Sequence, residues 1–436
     1  MFGTSGIRGP VGEDVTADLA LRVGRALGVE TDRVVIGRDP RESGHHLRDA
    51  LSAALRESGT DVIDLGMAAT PTVARAVAWK DADAGVSVTA SHNPAPDNGI
   101  KLWQPSGQAF DDPMQDRLVE RIESGETDLQ PWDRLGTETT VDARTRHVEA
   151  LAAAVEIEDP PEVVVDLGNG AGGVSVDAFQ TLGCAVETLN AQPDGSFPGR
   201  PSEPTAENCE SLSELVGAGD AELGIAHDGD ADRMRAATGE GEFISGDVLL
   251  AILARDAAEP GQRIAAPVDT SLAVDDYLAE IDVEVTRTRV GDVYVAERVT
   301  DPDVAFGGEP SGAWIWPDAT LCPDGPLAAV KLAALAGERS LADRVADVET
   351  YPIQRDSIEV ADKAAVMERI TDAVTDEYDD VTTLDGVRVG LEDGWFLLRA
   401  SGTQPLVRVT AEARDADRAE TLFETARSIV DRVRRR

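Results

Sequence analysis

The sequence predicts an α/β protein of three tandem, related α/β domains with mixed sheets, followed by a smaller C-terminal α+β domain. Two observations lead to this prediction: a strand-helix-strand pattern occurs three times, and the end of the chain follows a different pattern. The chain has 436 residues, of which 42% are hydrophobic and 28% charged. This length suits several domains, and this composition is typical of a globular protein.

The first strand-helix-strand unit lies near the start of the chain. Residues 33–37 have the apolar pattern of a strand, and a helix begins at about Ser43. Gly59 ends the helix, and residues 62–65 return to a strand pattern. The apolar side chains of this helix are spaced to bury one face: Leu47, Ala50, Leu51, Ala54 and Leu55.

The same order of elements occurs twice more. In the second unit, strand patterns at residues 163–165 and 185–189 flank a glycine-rich segment, residues 168–173, and a helical pattern. In the third unit, strand patterns at residues 263–266 and 283–286 flank another helical pattern. We therefore expect three similar domains in which helices cover mixed or parallel sheets.

The C-terminal part of the chain has an alternating pattern instead. Apolar residues at every second position of residues 407–413 predict a strand with one buried face. Asp415 can cap a final helix whose apolar stripe consists of Ala419, Leu422, Phe423, Ala426, Ile429, Val430 and Val433. The predicted domains are residues 1–150, 151–250, 251–350 and 351–436.

The chain carries a large negative charge, with 40 Lys and Arg against 82 Asp and Glu and a formal net charge of −42. Such a charge repels polyanions, so we expect no nucleic acid and no membrane as partners. Self-repulsion is relieved by salt, which predicts a protein adapted to a salty cytosol. The three cysteines are widely separated and indicate no disulfide framework, and no apolar run is long enough to span a bilayer. We therefore expect a cytoplasmic protein.

The first motif that indicates chemistry is Thr-Ala-Ser-His-Asn-Pro at residues 89–94, directly after an apolar run. A Ser in a turn just past a strand is exposed, as a nucleophile must be, so Ser91 is a candidate catalytic residue. His92 is a second candidate in this motif, although it is no evident base for Ser91 because adjacent side chains of an extended chain point opposite ways. Taken alone, the motif is also compatible with an ordinary turn.

The second motif is Asp-Gly-Asp-Ala-Asp-Arg at residues 228–233. Carboxylates at alternate positions of a glycine-containing turn can converge on one hard cation such as Mg²⁺. The candidate ligands are therefore Asp228, Asp230 and Asp232. The spacing excludes an EF-hand, whereas a phosphatase with Asp228 as its nucleophile and an unliganded acidic turn remain alternatives.

Two further motifs have side chains that can bind a sugar and a phosphate. Residues 307–312 form a turn-prone loop that presents Glu309 and Ser311, both able to hydrogen-bond hydroxyl groups. Guanidinium groups, hydroxyls and a glycine make a plausible phosphate cradle from Arg399, Ser401, Gly402, Thr403 and Arg408. Together, the four motifs describe phosphoryl transfer, with one motif in each predicted domain.

This combination of motifs resembles the α-D-phosphohexomutase family. The resemblance covers the whole chain, and the motifs occur in the family's order and approximate spacing at residues 2–9, 89–94, 228–233, 307–312 and 399–403. It implies a fold of three related α/β domains and a smaller C-terminal domain around a central cleft. This implied fold agrees with the organisation inferred above.

The resemblance implies that Ser91 is a phosphoserine that donates its phosphoryl group to a hexose phosphate. The resulting bisphosphorylated sugar would return its other phosphate, and such a sugar would also serve as activator. One Mg²⁺ per active site would bind a phosphate oxygen on Ser91 and the three Asp residues. The resemblance further implies that Arg8 and Lys101 assist proton transfer or charge stabilisation in the cleft, and that Arg233 neighbours the phosphoserine. The implied sugar contacts are Glu309 and Ser311, and the implied contacts to the non-reacting phosphate are Arg399, Ser401, Gly402, Thr403 and Arg408.

The resemblance points to more than one hexose. Residues 290–294 resemble a loop of glucosamine-type members, whereas residues 197–204 resemble the glucose and mannose type. We expect an intramolecular phosphotransferase that interconverts glucosamine 6-phosphate and glucosamine 1-phosphate, with a glucose or mannose phosphate mutase as the alternative. Two positions depart from the family pattern: Ala313 stands where many relatives have His, and Gln404 stands where Glu is common. The remote alternatives are the phosphatase and an acidic cation-binding module.

Overall fold

The computed structural model of the chain describes Gly3, residues 6–401 and residues 405–434. Its first part is a six-stranded mixed sheet with helices on both faces. The strands are β1 (Ile7–Pro10), β2 (Arg33–Arg38), β3 (Asp61–Met67), β4 (Ala84–Val88), β5 (Asp97–Trp103) and β6 (Glu138–Thr140), and the helices are α1 (Ala17–Gly28), α2 (Gly44–Glu57), α3 (Thr70–Trp79) and α4 (Asp112–Ser124). The strand order is β1-β5-β4-β2-β3-β6. Val34 and Val35 of β2 face different cores, as expected for a strand buried on both faces.

The second and third parts each contain a four-stranded mixed sheet. The second comprises α5 (Arg144–Ala152), β7 (Glu162–Asp166), α6 (Gly173–Thr181), β8 (Ala185–Leu189), α7 (Glu210–Ala218), β9 (Leu223–His227) and β10 (Met234–Thr238). The third comprises α8 (Gly246–Ala257), β11 (Arg263–Pro267), α9 (Leu272–Ala279), β12 (Glu284–Thr288), α10 (Asp292–Arg298), β13 (Val304–Glu309), β14 (Ala313–Ile315), α11 (Gly325–Glu338) and α12 (Leu341–Ala346). The strand orders are β10-β9-β7-β8 and β12-β11-β13-β14.

One topology is repeated in these three sheets and confirms the predicted relation between the domains. In each repeat the first strand is central, the second and third pair with it in parallel, and the fourth is antiparallel to the third. The repeats use β2 to β5, β7 to β10 and β11 to β14. The loops between the third and fourth strands are residues 89–96, 228–233 and 310–312. Three of the four predicted motifs therefore occupy the same place in three copies of one fold.

The fourth part is an all-antiparallel sheet with two helices, as the change of pattern predicts. Its elements are β15 (Ile353–Glu359), α13 (Lys363–Thr375), β16 (Val381–Thr382), β17 (Val387–Leu391), β18 (Gly394–Ala400), β19 (Leu406–Ala413) and α14 (Ala416–Arg434), and the strand order is β15-β19-β18-β17-β16. Asp415 caps α14 by accepting a hydrogen bond from the Arg418 amide at 2.9 Å. The predicted apolar stripe of α14 is buried in full. Among the described residues, none of the helices is long and apolar enough to cross a membrane.

Glu412 joins the fourth domain to the third. This carboxylate on β19 is 1% exposed and accepts hydrogen bonds from Trp395 Nε1 at 2.6 Å, Ser271 Oγ at 2.5 Å and the Leu272 amide at 2.8 Å. Ser271 and Leu272 lie at the N-terminus of α9, where main-chain amides need an acceptor and a negative charge is favourable. Glu412 therefore acts as a cap supplied by one domain to a helix of another.

Replacing Glu412 tests the contact between the third and fourth domains. We expect Glu412→Ala to lower the free energy of unfolding by about 3 kcal/mol, because buried donors lose their acceptor. Urea unfolding measures the change, with the exposed Glu420→Ala on α14 as the matched control. Equal stability of the two variants would contradict a structural role for Glu412.

Candidate active site

A cavity of about 680 Å³ lies where the four domains meet, in agreement with the expected central cleft. Each domain contributes to its wall. The predicted site residues that line it are Arg8, Ser91, Asp232, Arg233, Glu309, Ser311 and Arg399.

Ser91 lies at the turn after β4, at the wall of this cavity. Its hydroxyl donates a hydrogen bond to Asp228 Oδ2 at 2.6 Å and lies 3.4 Å from Asp232 Oδ1. The expectation of an exposed Ser is wrong: the residue is 1% exposed, because the carboxylates of the second domain cover it. Ser91 thus reaches solvent through the cavity alone, which suits a group that must transfer phosphate without losing it to water.

The backbone of Ser91 also explains the position of His92. Ser91 has a φ of 53°, in the left-handed region, so the chain is not extended here. His92 Nδ1 consequently comes within 3.3 Å of Ser91 Oγ, and the expectation that the two side chains point apart is wrong. Burial and the nearby Arg233 and Arg8 lower the pKa of His92 to about 2, so its imidazole is neutral at physiological pH.

Arg41 holds the loop that carries Ser91, and sequence analysis missed this residue. Its side chain is fully buried between the loop and Asp39, to which it is joined at 2.9 Å. The guanidinium donates to the carbonyl oxygens of Ser91 at 3.0 Å, Asn93 at 2.6 Å and Pro94 at 2.7 Å. No local pattern distinguishes a buried Arg from an exposed one, so only the tertiary structure identifies this role.

The three predicted metal ligands converge. Asp228, Asp230 and Asp232 are buried, and one oxygen from each lies within 4.8 Å of the others. Asp230 Oδ1 is buried without a hydrogen-bond partner. A buried carboxylate oxygen with no donor is an unusual arrangement that a hard cation would complete. The donor set therefore fits Mg²⁺.

Lys101 supplies the positive charge next to these carboxylates. Its ammonium lies 2.8 Å from Asp230 Oδ2 and also hydrogen-bonds Asp232. Burial lowers the pKa of Lys101, but attraction to Asp230 and Asp232 outweighs it and holds the pKa above its ordinary value. Burial and repulsion from Asp232 and Asp230 raise the pKa of Asp228 well above its usual range. One ammonium thus leaves an excess of negative charge that favours a divalent cation.

The metal loop, residues 228–233, is packed tightly from two sides. A Cβ on Gly170 would lie 2.8 Å from the carbonyl oxygen of Asp228, and a Cβ on Gly325 would lie 2.5 Å from that of Arg233. Gly170 belongs to the glycine-rich segment noted in the sequence, and Gly325 begins α11. The glycine-rich segment therefore supports the metal loop by allowing close approach.

Arg8 and Arg233 line the cavity beside Ser91, as expected. Arg8 Nε is buried without a hydrogen-bond partner. The Arg233 amide donates to Asp228 Oδ1 at 3.1 Å, and its guanidinium lies 3.6 Å from Glu203. Both cations are thus placed where a phosphoryl group on Ser91 would carry negative charge.

The predicted sugar-contact residues come together on the third domain. Ser311 Oγ lies 3.3 Å from Glu309 Oε2, and the Gly291 amide donates to Glu309 Oε1 at 2.7 Å. The two loops that the sequence singled out, residues 290–294 and 307–312, therefore meet at the same wall of the cavity. Burial, with repulsion from Asp292, raises the pKa of Glu309 to about 7.

The predicted phosphate residues are brought together in part. Arg399 lines the cavity, 3.5 Å from Asp385. Arg408 is directly opposite Arg399 in the β18–β19 ladder but is exposed and absent from the cavity wall. Ser401 is buried, and its carbonyl oxygen accepts a hydrogen bond from Lys363 at 2.6 Å.

The phosphate loop itself is described only at its ends, because Gly402, Thr403 and Gln404 lie outside the described residues. Arg289 and Arg355 also line the cavity, and sequence analysis missed both. They occur outside any recognisable motif. Their guanidinium groups add to the positive charge of Arg399 on this side of the cavity.

Magnesium binding tests the metal assignment. We expect Mg²⁺ at about 100 times its Kd to raise the free energy of unfolding by about 2.7 kcal/mol, because it binds the folded state alone. Asp230→Asn should remove most of this stabilisation, whereas the exposed Asp220→Asn should retain it. Thermal unfolding with and without Mg²⁺ measures the effect, and equal stabilisation of both variants would contradict the assignment.

The raised pKa of Glu309 predicts a dependence of stability on pH. An unfolded Glu loses its proton near pH 4.5, while the folded protein retains the proton to about pH 7. Glu309 should therefore contribute a loss of stability on the order of 3 kcal/mol as pH rises through this window. This loss adds to those from Asp39 and Asp247, whose pKa values burial raises to about 6. Glu309→Gln should lack this loss, and the exposed Glu207→Gln should show it in full. Urea unfolding from pH 4 to pH 8 measures the difference, and parallel curves for all three proteins would refute it.

Comparisons with known proteins agree with this geometry. Models of the phosphoglucomutase/phosphomannomutase family match along the chain: α/β/α domain I at residues 1–128, domain II at 145–241, domain III at 245–351 and the C-terminal domain at 357–429. A "Probable phosphoglucosamine mutase" of Methanopyrus kandleri is 45% identical and matches over 100% of this chain and 98% of its own. A second protein of this name, from Methanothermobacter thermautotrophicus, is 46% identical and matches over 99% of this chain and 98% of its own.

Solved structures share the fold. A phosphoglucomutase/phosphomannomutase family protein from Burkholderia thailandensis has a TM-score of 0.89 and 27% identity, covering 99% of this chain and 98% of that one. An Aspergillus fumigatus N-acetylphosphoglucosamine mutase, solved with GlcNAc-6P and magnesium, has a TM-score of 0.62 and 16% identity. The match covers 99% of this chain and 95% of that one. The second likeness concerns the fold alone. By its four matched domains and its full-length relatives, the chain belongs to the phosphoglucomutase/phosphomannomutase family, the α-D-phosphohexomutases.

Proposed function

We propose that this protein is a phosphoglucosamine mutase, which interconverts glucosamine 6-phosphate and glucosamine 1-phosphate through a phosphoserine at Ser91. The observation that carries the proposal is the position of the Ser91 hydroxyl, 2.6 Å from Asp228 and at the wall of a cavity shared by four domains. Full-length relatives at 45% and 46% identity bear this name. A bisphosphorylated hexose serves as the activator that phosphorylates Ser91.

In this mechanism the bond between Ser91 Oγ and phosphorus breaks as a sugar hydroxyl oxygen bonds to phosphorus, and the proton of that sugar hydroxyl passes to Ser91 Oγ, which is left as a free hydroxyl. The three Asp residues and a phosphate oxygen on Ser91 would hold Mg²⁺, which would neutralise charge on the transferring group. Arg8 and Arg233 stabilise that group from the cavity side. Lys101 keeps its proton because its pKa lies above the ordinary value, so it acts by charge stabilisation.

The substrate lies between the third and fourth domains. Glu309 and Ser311 hydrogen-bond sugar hydroxyls, and Arg399 binds the phosphate that does not react. On the strength of the family motif, Ser401, Gly402 and Thr403 are further phosphate contacts, whereas the exposed Arg408 lies off the cavity wall and is not among them. The bisphosphorylated intermediate turns over in the cavity, so that each phosphate in turn faces Ser91.

The acidic wall of the cavity supports an amino sugar as substrate. Asp269 and Asp292 line it, and Glu309 on the same wall becomes negatively charged as it loses its proton at about pH 7. The amine of glucosamine phosphate is a cation at neutral pH, and carboxylates favour a cation over a neutral hydroxyl. Mutases for glucose or mannose phosphate are the second candidate, favoured by the likeness of residues 197–204 to that type.

The phosphatase alternative is disfavoured by the contacts of Asp228. This residue is fully buried, and its two oxygens accept hydrogen bonds from Ser91 Oγ and from the Arg233 amide. Asp228 is also absent from the cavity wall, so it does not face a substrate there. Ser91 does line the cavity, so it is the better nucleophile.

We also propose the domain boundaries 1–143, 144–245, 246–350 and 351–436. The first boundary differs from the one expected from the sequence because α5 spans residue 150 and packs against α6 of the second domain, and the second boundary differs because α8 spans residue 250. This helix packs against α9 and β13 of the third domain, which supports placing it there whole.

An assay with each sugar phosphate tests the proposal. Purified protein in high salt, with Mg²⁺ and a trace of the matching bisphosphate, should convert glucosamine 6-phosphate faster than glucose or mannose 6-phosphate. Ser91→Ala should lose about a thousandfold or more of this rate, because the acceptor of the phosphoryl group is gone, while the exposed Ser106→Ala should retain it.

Three results would count against the proposal. Equal rates with glucosamine and glucose substrates would contradict a dedicated glucosamine enzyme. Release of inorganic phosphate that survives in Ser91→Ala would favour a phosphatase. Mg²⁺ binding without turnover of any sugar phosphate would favour a cation-binding module.

A further inference from the structure

A single hydroxyl group joins the main chains of the two loops that carry the proposed chemistry. Ser202 Oγ donates a hydrogen bond to the carbonyl oxygen of Ser91 at 2.9 Å and accepts one from the amide of Gly229 at 2.9 Å. Ser202 is 2% exposed, so water does not compete for either bond. Ser202 thus bridges the Ser91 loop of the first domain and the metal loop of the second.

The segment around Ser202 follows the metal loop along its length. Arg200 donates to the carbonyl oxygen of His227 at 2.7 Å and is anchored by Asp166 at 2.6 Å. Glu203 lies 3.6 Å from Arg233 at the other end of the loop. The position of Ser202 is therefore fixed by charged contacts on both sides of it, rather than by its own hydrogen bonds alone.

The same segment also contacts Arg41, the residue that holds the Ser91 loop. Phe197 lies against the guanidinium of Arg41, with 4.8 Å between the ring centre and the guanidinium carbon. Gly229 has no room for a side chain, since a Cβ there would lie 2.8 Å from both Ser202 Oγ and the carbonyl oxygen of Ser91. The three groups are thus in direct contact, and a change in one displaces the others.

Other hydrogen bonds join the first domain to the metal loop from outside the Ser91 loop, and one of them, from the Thr70 amide to the carbonyl oxygen of Asp230 at 2.8 Å, is also between main-chain atoms. Two others act through a carboxylate. Lys101 and Thr70 hydrogen-bond the side chain of Asp230, so a cation that draws on these oxygens competes with both ties. Ser202 binds main-chain atoms only and touches no carboxylate. The two hydrogen bonds by which Ser202 joins the loops therefore do not depend on what the carboxylates bind.

We propose that Ser202 is a positioning residue, which sets the distance between Ser91 and the three Asp residues during phosphoryl transfer. The proposal rests on the function proposed for Ser91. Ser202 contacts no substrate, because it lies behind the two loops and outside the cavity wall. Its loss should therefore lower kcat and the apparent affinity for Mg²⁺, and leave the KM of the sugar phosphate nearly unchanged.

A matched pair of variants isolates the hydroxyl. Ser202→Thr retains it, whereas Ser202→Val has nearly the same shape without it. We expect Ser202→Val to lose roughly 10- to 100-fold in kcat, as supporting residues of metal sites do, with KM within about threefold of the wild type. Ser202→Thr should recover most of the lost kcat. Ser196→Ala, in the same segment but exposed and bonded only to Asp194, should match the wild type.

The assay uses whichever hexose phosphate the wild-type protein converts fastest, so the test does not depend on the choice of sugar. Wild-type protein that converts none of them refutes the proposed function. An active wild type with equal kcat for Ser202→Val and Ser202→Thr refutes the role of the hydroxyl, whether both are active or both impaired. A raised KM with unchanged kcat refutes it as well.

Discussion

The structure depends on three buried carboxylates held beside one hydroxyl group. Asp228, Asp230 and Asp232 lie within 4.8 Å of one another, next to Ser91. Like charges this close repel strongly in a medium of low dielectric constant, and one ammonium, that of Lys101, offsets only part of the repulsion. The loops around the site hold the carboxylates in place despite their mutual repulsion. What remains is an excess of negative charge that a divalent cation would neutralise.

The repeated sheet topology explains how distant parts of the chain meet. In three domains the third strand ends at the same side of the sheet, and its last residue and the loop that follows it carry the Ser, the carboxylates or the proposed sugar contacts. The domains then need only to turn these equivalent loops toward one another. The fourth domain has a different sheet and is attached through Glu412 to the N-terminus of α9. Its arginine Arg399 consequently lines the same cavity as Ser91.

Much of this could be predicted from the sequence because the signals are local. Apolar spacing predicts the strands, the stripe of α14 and its cap at Asp415, and the close spacing of the carboxylates predicts a cation site. The sequence does not show what depends on long-range pairing, such as the buried Arg41, the bridge made by Ser202 or the capping of α9 by Glu412. The orientation of His92 was also mispredicted, because the left-handed backbone of Ser91 has no signature in its neighbours.

Phosphopeptide mapping by mass spectrometry tests the central claim most directly. The active protein is incubated with Mg²⁺ and glucosamine 1,6-bisphosphate and then digested under conditions that preserve both phosphoserine and acyl phosphate. The account predicts one phosphoryl group, located on Ser91, that is lost when excess glucosamine 6-phosphate is added. A phosphoryl group on Asp228 or elsewhere, or none at all in active protein, would contradict it.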